Sequence, residues 1–282
     1  MLFSNGRRIG FGSMQLTGPG HWDAPEHPEQ VMQVLRDAVD AGVTHIDTAD
    51  AYGPFTAEKY IRKALHPYPE GLVIATKGGL TRQGPNRWTP CGRPEYLRQC
   101  VEMSLRRLQV ERIDLYYLHR IDPAVSLEDQ LGVLRDMQAE GKVRHIGLSK
   151  VTLEQLRTAS ELIDVAAVQN KYNVTDRASE DVLRHCEMTG ISFVPYASLA
   201  AGALTTPDAL GQIAQDYGAT PAQLALAWLL HRSPVITPIP GTSCSARLRE
   251  NLAAQQISLT REDRTIIESA TIKAEQTGRG RG

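Results

Sequence analysis

Short apolar, β-rich runs alternate along this chain with amphipathic stretches of about ten to fifteen residues. The runs with strand character are Ile9 to Ser13, His45 to Thr48, Leu72 to Thr76, Ile113 to Leu118, Val143 to Leu148, Ala166 to Gln169, Ser192 to Tyr196 and Val235 to Ile239. Most are almost continuously apolar, as parallel strands covered on both faces are. Between them, apolar positions three and four apart mark helices, for example Leu97, Val101, Leu105 and Leu108 behind Pro94, and Leu224, Leu226, Ala227 and Leu230. Thr220-Pro221-Ala222-Gln223 offers a capping hydroxyl, a first-turn proline and a capping-box glutamine. Thr152-Leu153-Glu154-Gln155 repeats the box without the proline.

Strand-then-helix units repeated eight times, with no linker-like shift in composition, predict an α/β fold: a single-domain (β/α)8 TIM barrel over residues 1–276. The tail 277–282, glycine and charge with nothing to bury, is expected to be disordered. A doubly wound dinucleotide-binding sheet fits less well. Gly10-Phe11-Gly12 follows no complete fingerprint, since Gln15 stands where the third glycine belongs and no helix pattern starts there.

The length of 282 residues suits one such barrel. A formal net charge of -1 gives no basic surface for nucleic acid. No apolar run is long enough for a bilayer and residues 1–8 lack a signal-peptide core, so a cytoplasmic protein without membrane partners is expected. Cys91, Cys100, Cys186 and Cys244 are scattered, at neither disulfide-framework nor zinc spacing, so no metal is expected.

In a barrel the loops after the strands open on one face, so strand ends converge. His45-Ile46-Asp47-Thr48-Ala49-Asp50-Ala51-Tyr52-Gly53 brings Asp47 and Tyr52 to that face, the third strand brings Lys77, and the fourth brings His119. Each has an ordinary structural explanation alone. Together, four polar groups on three neighbouring strands are hard to assign to packing, because buried ionisable groups cost stability unless paired.

With these residues in place, the chain resembles the aldo-keto reductase family along almost its whole length. The matching stretches are Asp-Thr-Ala-Asp-Ala-Tyr-Gly at Asp47, Ala-Thr-Lys at Lys77, Asp-Leu-Tyr-Tyr-Leu-His at His119, Gly147-Leu148-Ser149, Gln169-Asn170-Lys171-Tyr172-Asn173, Pro195-Tyr196-Ala197-Ser198-Leu199 and Ile239-Pro240-Gly241-Thr242. The resemblance implies an NADPH-dependent reductase of aldehydes and ketones, a monomer, with pyridoxal or a broad range of aldehydes as substrates. Asp47, Tyr52, Lys77 and His119 would be catalytic, with Tyr52 as proton donor. Lowering a phenol from about 10 to about 7 takes roughly 4 kcal/mol, and a lysine about 4 Å away supplies that much at an effective dielectric near 20, before desolvation is subtracted. A depressed Tyr52 is therefore expected, with Asp47 behind the lysine.

The resemblance also implies cofactor contacts: Tyr196 against the nicotinamide, Ser149 and Gln169 on its carboxamide, and Ser198 and Leu199 nearby. Gly241, Thr242, Ser243 and Arg247 would meet the adenosine phosphate, and Glu250 and Asn251 the adenine. Two departures stand out. Lys150 replaces the asparagine common after Ser149, and Ser243 replaces a basic residue, which weakens the 2′-phosphate site. The loop from Leu199 to Pro207 is short for a flap, so an open channel is expected. The longest loops, 15–26 and 78–93, offer Trp22 and Trp88 as substrate-pocket candidates. The last helical segment is expected to end near Lys273, too close to the end of the chain for the family's long substrate loop. Two alternatives stay open: a barrel lyase or aldolase using Lys77 as a Schiff-base nucleophile, and an NADPH-binding regulatory or redox-sensing subunit.

Overall fold

A computed structural model describes residues 2–3, 8–199 and 208–278. Its parallel sheet is made of β1 (Phe11–Gly12), β2 (His45–Asp47), β3 (Val73–Gly78), β6 (Ile113–Leu118), β7 (Val143–Ser149), β8 (Val165–Gln169) and β9 (Ser192–Phe193), hydrogen-bonded in that order. Helices α1 (Pro28–Asp40), α2 (Thr56–Leu65), α3 (Pro94–Leu108), α4 (Leu127–Ala139), α5 (Leu153–Leu162) and α6 (Glu180–Thr189) cover its outer surface. They are followed by α7 (Asp208–Asp216), α8 (Pro221–Arg232), α9 (Ser245–Ala253) and α10 (Arg261–Gly278). Both capping boxes form: the side chains of Thr152 and Thr220 accept from the amides of Gln155 and Gln223, whose side chains reach back to the threonine amides.

The eighth apolar run does not become a strand, yet it closes the ring. The amide of Phe193 donates to Val235 O and that of Thr237 to Phe193 O, both at 2.9 Å, which ties the run to β9. On its other edge Pro238 and Pro240 have no N–H, so only their carbonyls engage, accepting from Gly10 at 2.9 Å and Gly12 at 3.3 Å. This one-sided ladder leaves a single bridge, Phe193 to Ile236. The close approach requires glycine: a β-carbon on Gly12 would lie 2.6 Å from Ile239 O. The same economy of donors shortens the first strand to Phe11–Gly12, and Pro195 ends β9 before Tyr196.

Two strands were not expected. Within the loop 78–93, β4 (Leu80–Arg82) and β5 (Trp88–Pro90) form an antiparallel hairpin beside the barrel mouth. The last helix extends past Lys273 to Gly278, so Thr277 and Gly278 are helical rather than part of a disordered tail. The remainder of that tail, 279–282, and most of the proposed flap, 200–207, lie outside the described residues. Among the described residues no helix is long and apolar enough to cross a membrane.

Candidate active site

The strand ends converge as barrel geometry requires. Register aligns Asp47 with Ala75 and Lys77 with Tyr117, so Asp47, Lys77 and His119 reach the same rim. The loop after β2 is stitched to β3, with Thr48 N on Ala75 O at 2.8 Å and Asp50 N on Lys77 O at 3.1 Å. That stitching places Tyr52 above the lysine. The amide of His119 is anchored on Gly78 O at 2.9 Å.

Lys77, with no exposed surface, spends all three ammonium protons. Its Nζ lies 2.6 Å from Asp47 Oδ1, 2.7 Å from Thr48 O and 3.3 Å from the Tyr52 hydroxyl. Gln169 Nε2 donates to the other Asp47 oxygen at 2.7 Å. Burial alone would lower the lysine, but Asp47 and then Tyr52 outweigh it and raise Lys77 above its ordinary value. A fully bonded ammonium is a poor Schiff-base nucleophile, which counts against the lyase alternative.

The phenol behaves differently from the sequence expectation. Burial pushes Tyr52 above its ordinary value; Lys77 pulls it down without winning, and Asp47 and Asp50 add to the rise. The expected fall stands before the cost of removing a phenolate from water is subtracted, and that cost is the larger effect here. Burial, and after it Lys77, Lys150, Arg120 and Arg82, hold His119 well below its usual value, so the imidazole is neutral. Its ring meets Tyr52 edge-on at 5.9 Å, and Trp88 meets both rings at 6.4 Å.

These groups form the floor of a cleft of about 950 Å³. Its lining includes Asp47, Tyr52, Trp88 and His119, then Ser149, Gln169, Tyr196, Ser198 and Leu199 from the following strand ends, and Gly241, Thr242, Ser243, Arg247, Glu250 and Asn251 from the segment after the eighth run. Lys77 lies beneath the lining. Trp22 is not among the residues lining the cleft: its ring centre lies 5.4 Å from the Arg82 guanidinium carbon, which also lies 3.6 Å from the centre of the Trp88 ring. Arg82 donates to Ala51 O, His21 O and Gly20 O, clamping the hairpin over the loop that carries Tyr52. Arg82 and the lining residue Arg120 were not picked out from the sequence, whereas Lys150 stood out there only as a departure from the family's asparagine. The position of Arg120 directly after His119 at a strand end was the available signal.

Behind the cleft sits a second polar cluster. Glu58 is fully buried, accepts from Thr76 Oγ1 at 2.6 Å and pairs with Arg107. Asp50, on the Tyr52 loop, is buried with Oδ1 unpartnered. Burial, then the neighbouring Glu58, raise it to about 7.

This geometry can be set beside known proteins. The profile of the aldo/keto reductase family matches residues 8–272. The chain belongs to the aldo/keto reductase family. It is 48% identical over 256 residues to an uncharacterised oxidoreductase of Schizosaccharomyces pombe, covering 90% of this chain and 83% of that protein. It is 42% identical over 261 residues to the pyridoxine 4-dehydrogenase of Escherichia coli, covering 90% and 91%. Among solved structures, a thermostable aldo-keto reductase in complex with the inhibitor epalrestat superposes with a TM-score of 0.84 at 31% identity, over 93% of this chain and 94% of that one. An aldo-keto reductase from Klebsiella pneumoniae in complex with NADPH gives 0.78 at 27%, over 93% and 90%. As a member of this family the chain is an oxidoreductase with a barrel fold.

Proposed function

We propose that this aldo-keto reductase reduces aldehydes and ketones with NADPH, with Asp47, Lys77, Tyr52 and His119 as its catalytic groups. The observation that carries the reading is the buried contact of Lys77 Nζ with both Asp47 and the Tyr52 hydroxyl, under a cleft that His119 shares. Support for the cofactor comes from the neighbour crystallised with NADPH and from the cleft wall after the eighth run. There α9 starts with no side-chain cap, and the amides of Arg247 and then Ala246 hold the Cys244 thiol below its usual value. Amides that favour a thiolate also favour a phosphate. Arg247 would add a guanidinium, and the exposed Ser243 only a hydroxyl. Glu250 is already bound by Thr220 at 2.6 Å, an arrangement that holds its carboxylate along the same wall.

When bound, the nicotinamide supplies the hydride. The chain's own part is to orient the carbonyl and neutralise the charge growing on its oxygen. Tyr52 gives the proton. Because burial keeps the phenol protonated, Lys77 acts chiefly by stabilising the phenolate at the moment of transfer, not by pre-ionising it. Asp47, held by Gln169, keeps the ammonium aimed. Neutral His119 is a hydrogen-bonding partner for the carbonyl. The relative named for pyridoxine makes pyridoxal a leading substrate of this reading.

The test is turnover and binding in the same variants. Tyr52→Phe and Lys77→Met should each lose most NADPH consumption with pyridoxal or simple aldehydes while still binding NADPH by fluorescence titration. Near-normal turnover in either purified, folded variant would sink the assignment.

A further inference from the structure

The reaction just described uses one wall of the cleft and leaves another idle. Arg120 follows His119 at the end of β6, and Lys150 follows Ser149 at the end of β7. These strands are neighbours, so a guanidinium and an ammonium face the same space beside the imidazole. Neither cation has a hydrogen bond or an ion pair among the described residues, and Arg120 Nε is buried without a partner. Lys150 Nζ rests 5.2 Å from the centre of the Tyr196 ring.

The surrounding charges are committed elsewhere. Asp47 is bound by Lys77 and Gln169, Glu250 is held by Thr220, and Asp176 pairs with Lys171 at 2.7 Å. Residues 200–207, outside the described residues, contain no acid in their sequence. Partial burial lowers Lys150 to about 8, and the nearby Arg120 guanidinium adds to the fall. Lys150 is also held at a φ of 57°, a left-handed conformation in which asparagine or glycine is easier to accommodate. Lys150 is exposed and Arg120 half-buried, so the cost falls on the buried Arg120 Nε, a donor left without an acceptor that a bound anion would supply.

We propose that Arg120 and Lys150 form an anion subsite next to His119, which selects carbonyl substrates carrying a carboxylate or a phosphate. The inference rests on the reductase reading of the same cleft and names its substrate class. The cofactor's phosphates belong with Thr242, Arg247 and the start of α9, across the barrel mouth from β6; Arg120 therefore stands on the substrate side beside His119, and Lys150, against the Tyr196 ring, borders the nicotinamide. A guanidinium beside the substrate gives a forked contact to either oxyanion, and the lysine adds a point charge.

Matched substrate pairs test it: 4-carboxybenzaldehyde against benzaldehyde for a carboxylate, and pyridoxal 5′-phosphate against pyridoxal for a phosphate. The wild-type protein should favour the charged member of at least one pair in kcat/KM, chiefly through KM, and the favoured pair identifies the oxyanion. Arg120→Gln and Lys150→Gln should each shrink that charged-to-neutral ratio about ten- to a hundredfold, with Arg120→Lys retaining part of it. Equal kcat/KM within both pairs overturns the proposal and leaves the reductase reading standing. So does a variant that alters NADPH affinity while the ratio holds. If no aldehyde is reduced at all, the reductase reading fails, and the subsite is decided by quenching of tryptophan fluorescence. Benzoate should then bind more tightly than benzamide, and lose that margin in Arg120→Gln; equal binding overturns the subsite.

Discussion

Replacing Asp50 by asparagine should make the protein less sensitive to rising pH. Asp50 is buried on the loop that carries Tyr52, its Oδ1 has no partner, and it is raised from 3.8 to about 7 by burial and then by Glu58. Between those values the folded protein holds a proton that the unfolded chain has released, so stability falls as pH rises through the window. The full displacement corresponds to about 4 kcal/mol, of which roughly 2 to 3 falls between about pH 5 and about pH 8. Asparagine has the shape of the protonated acid and does not ionise. Urea unfolding of both proteins at the two pH values gives the answer. The stability of Asp50→Asn relative to wild type should improve by about 2 to 3 kcal/mol on going to the higher pH. A relative stability unchanged to within about 0.5 kcal/mol would refute the reasoning and place the proton elsewhere in the Asp50, Glu58 and Arg107 cluster.

Three further outcomes are expected. His119 is held far below its usual value, so the pH profile of kcat/KM should show no group titrating near 6.5 that His119→Gln removes; such a group would contradict the neutral imidazole. Ser243→Lys, at an exposed position near Arg247, should improve the preference for NADPH over NADH about tenfold, measured as the ratio of kcat/KM values. A β-carbon on Gly78 would lie 2.0 Å from the Tyr116 hydroxyl, so Gly78→Ala should cost about 1 to 3 kcal/mol in thermal unfolding. Removing that hydroxyl with Tyr116→Phe should restore part of it.

The central strands were legible because their inner stretches, Leu115 to Leu118 and Ile146 to Leu148, are buried at every position, and that demand is written directly as a run of residues without charge. The convergence of Asp47, Lys77 and His119 followed from the barrel alone, since strand ends share a rim. The hairpin was not legible: β4 and β5 are three residues each, too short to show a period, and they are fixed by pairing with each other and by Arg82 donating to Arg87 O. The eighth strand was read from its apolar residues, although Pro238 and Pro240 limit its bonding. For Tyr52 the relevant quantity was burial, which no local pattern reports. Asp50 lies within the His45 to Gly53 stretch, but its meaning depends on Glu58 from α2 and on Arg107 from α3.

The proline-interrupted eighth segment makes the barrel a ring with a clasp. Its carbonyls reach Gly10 and Gly12, and the residues that follow, Pro240 to Thr242, form part of the cleft wall. A molecule lying along that wall therefore rests on the clasp, and occupancy and ring closure become a single linked equilibrium. Hydrogen exchange on adding NADPH would show it: the amides of Gly10, Gly12 and Thr237 should slow more than those in the middle of β6 and β7, where the ring has no join to fasten.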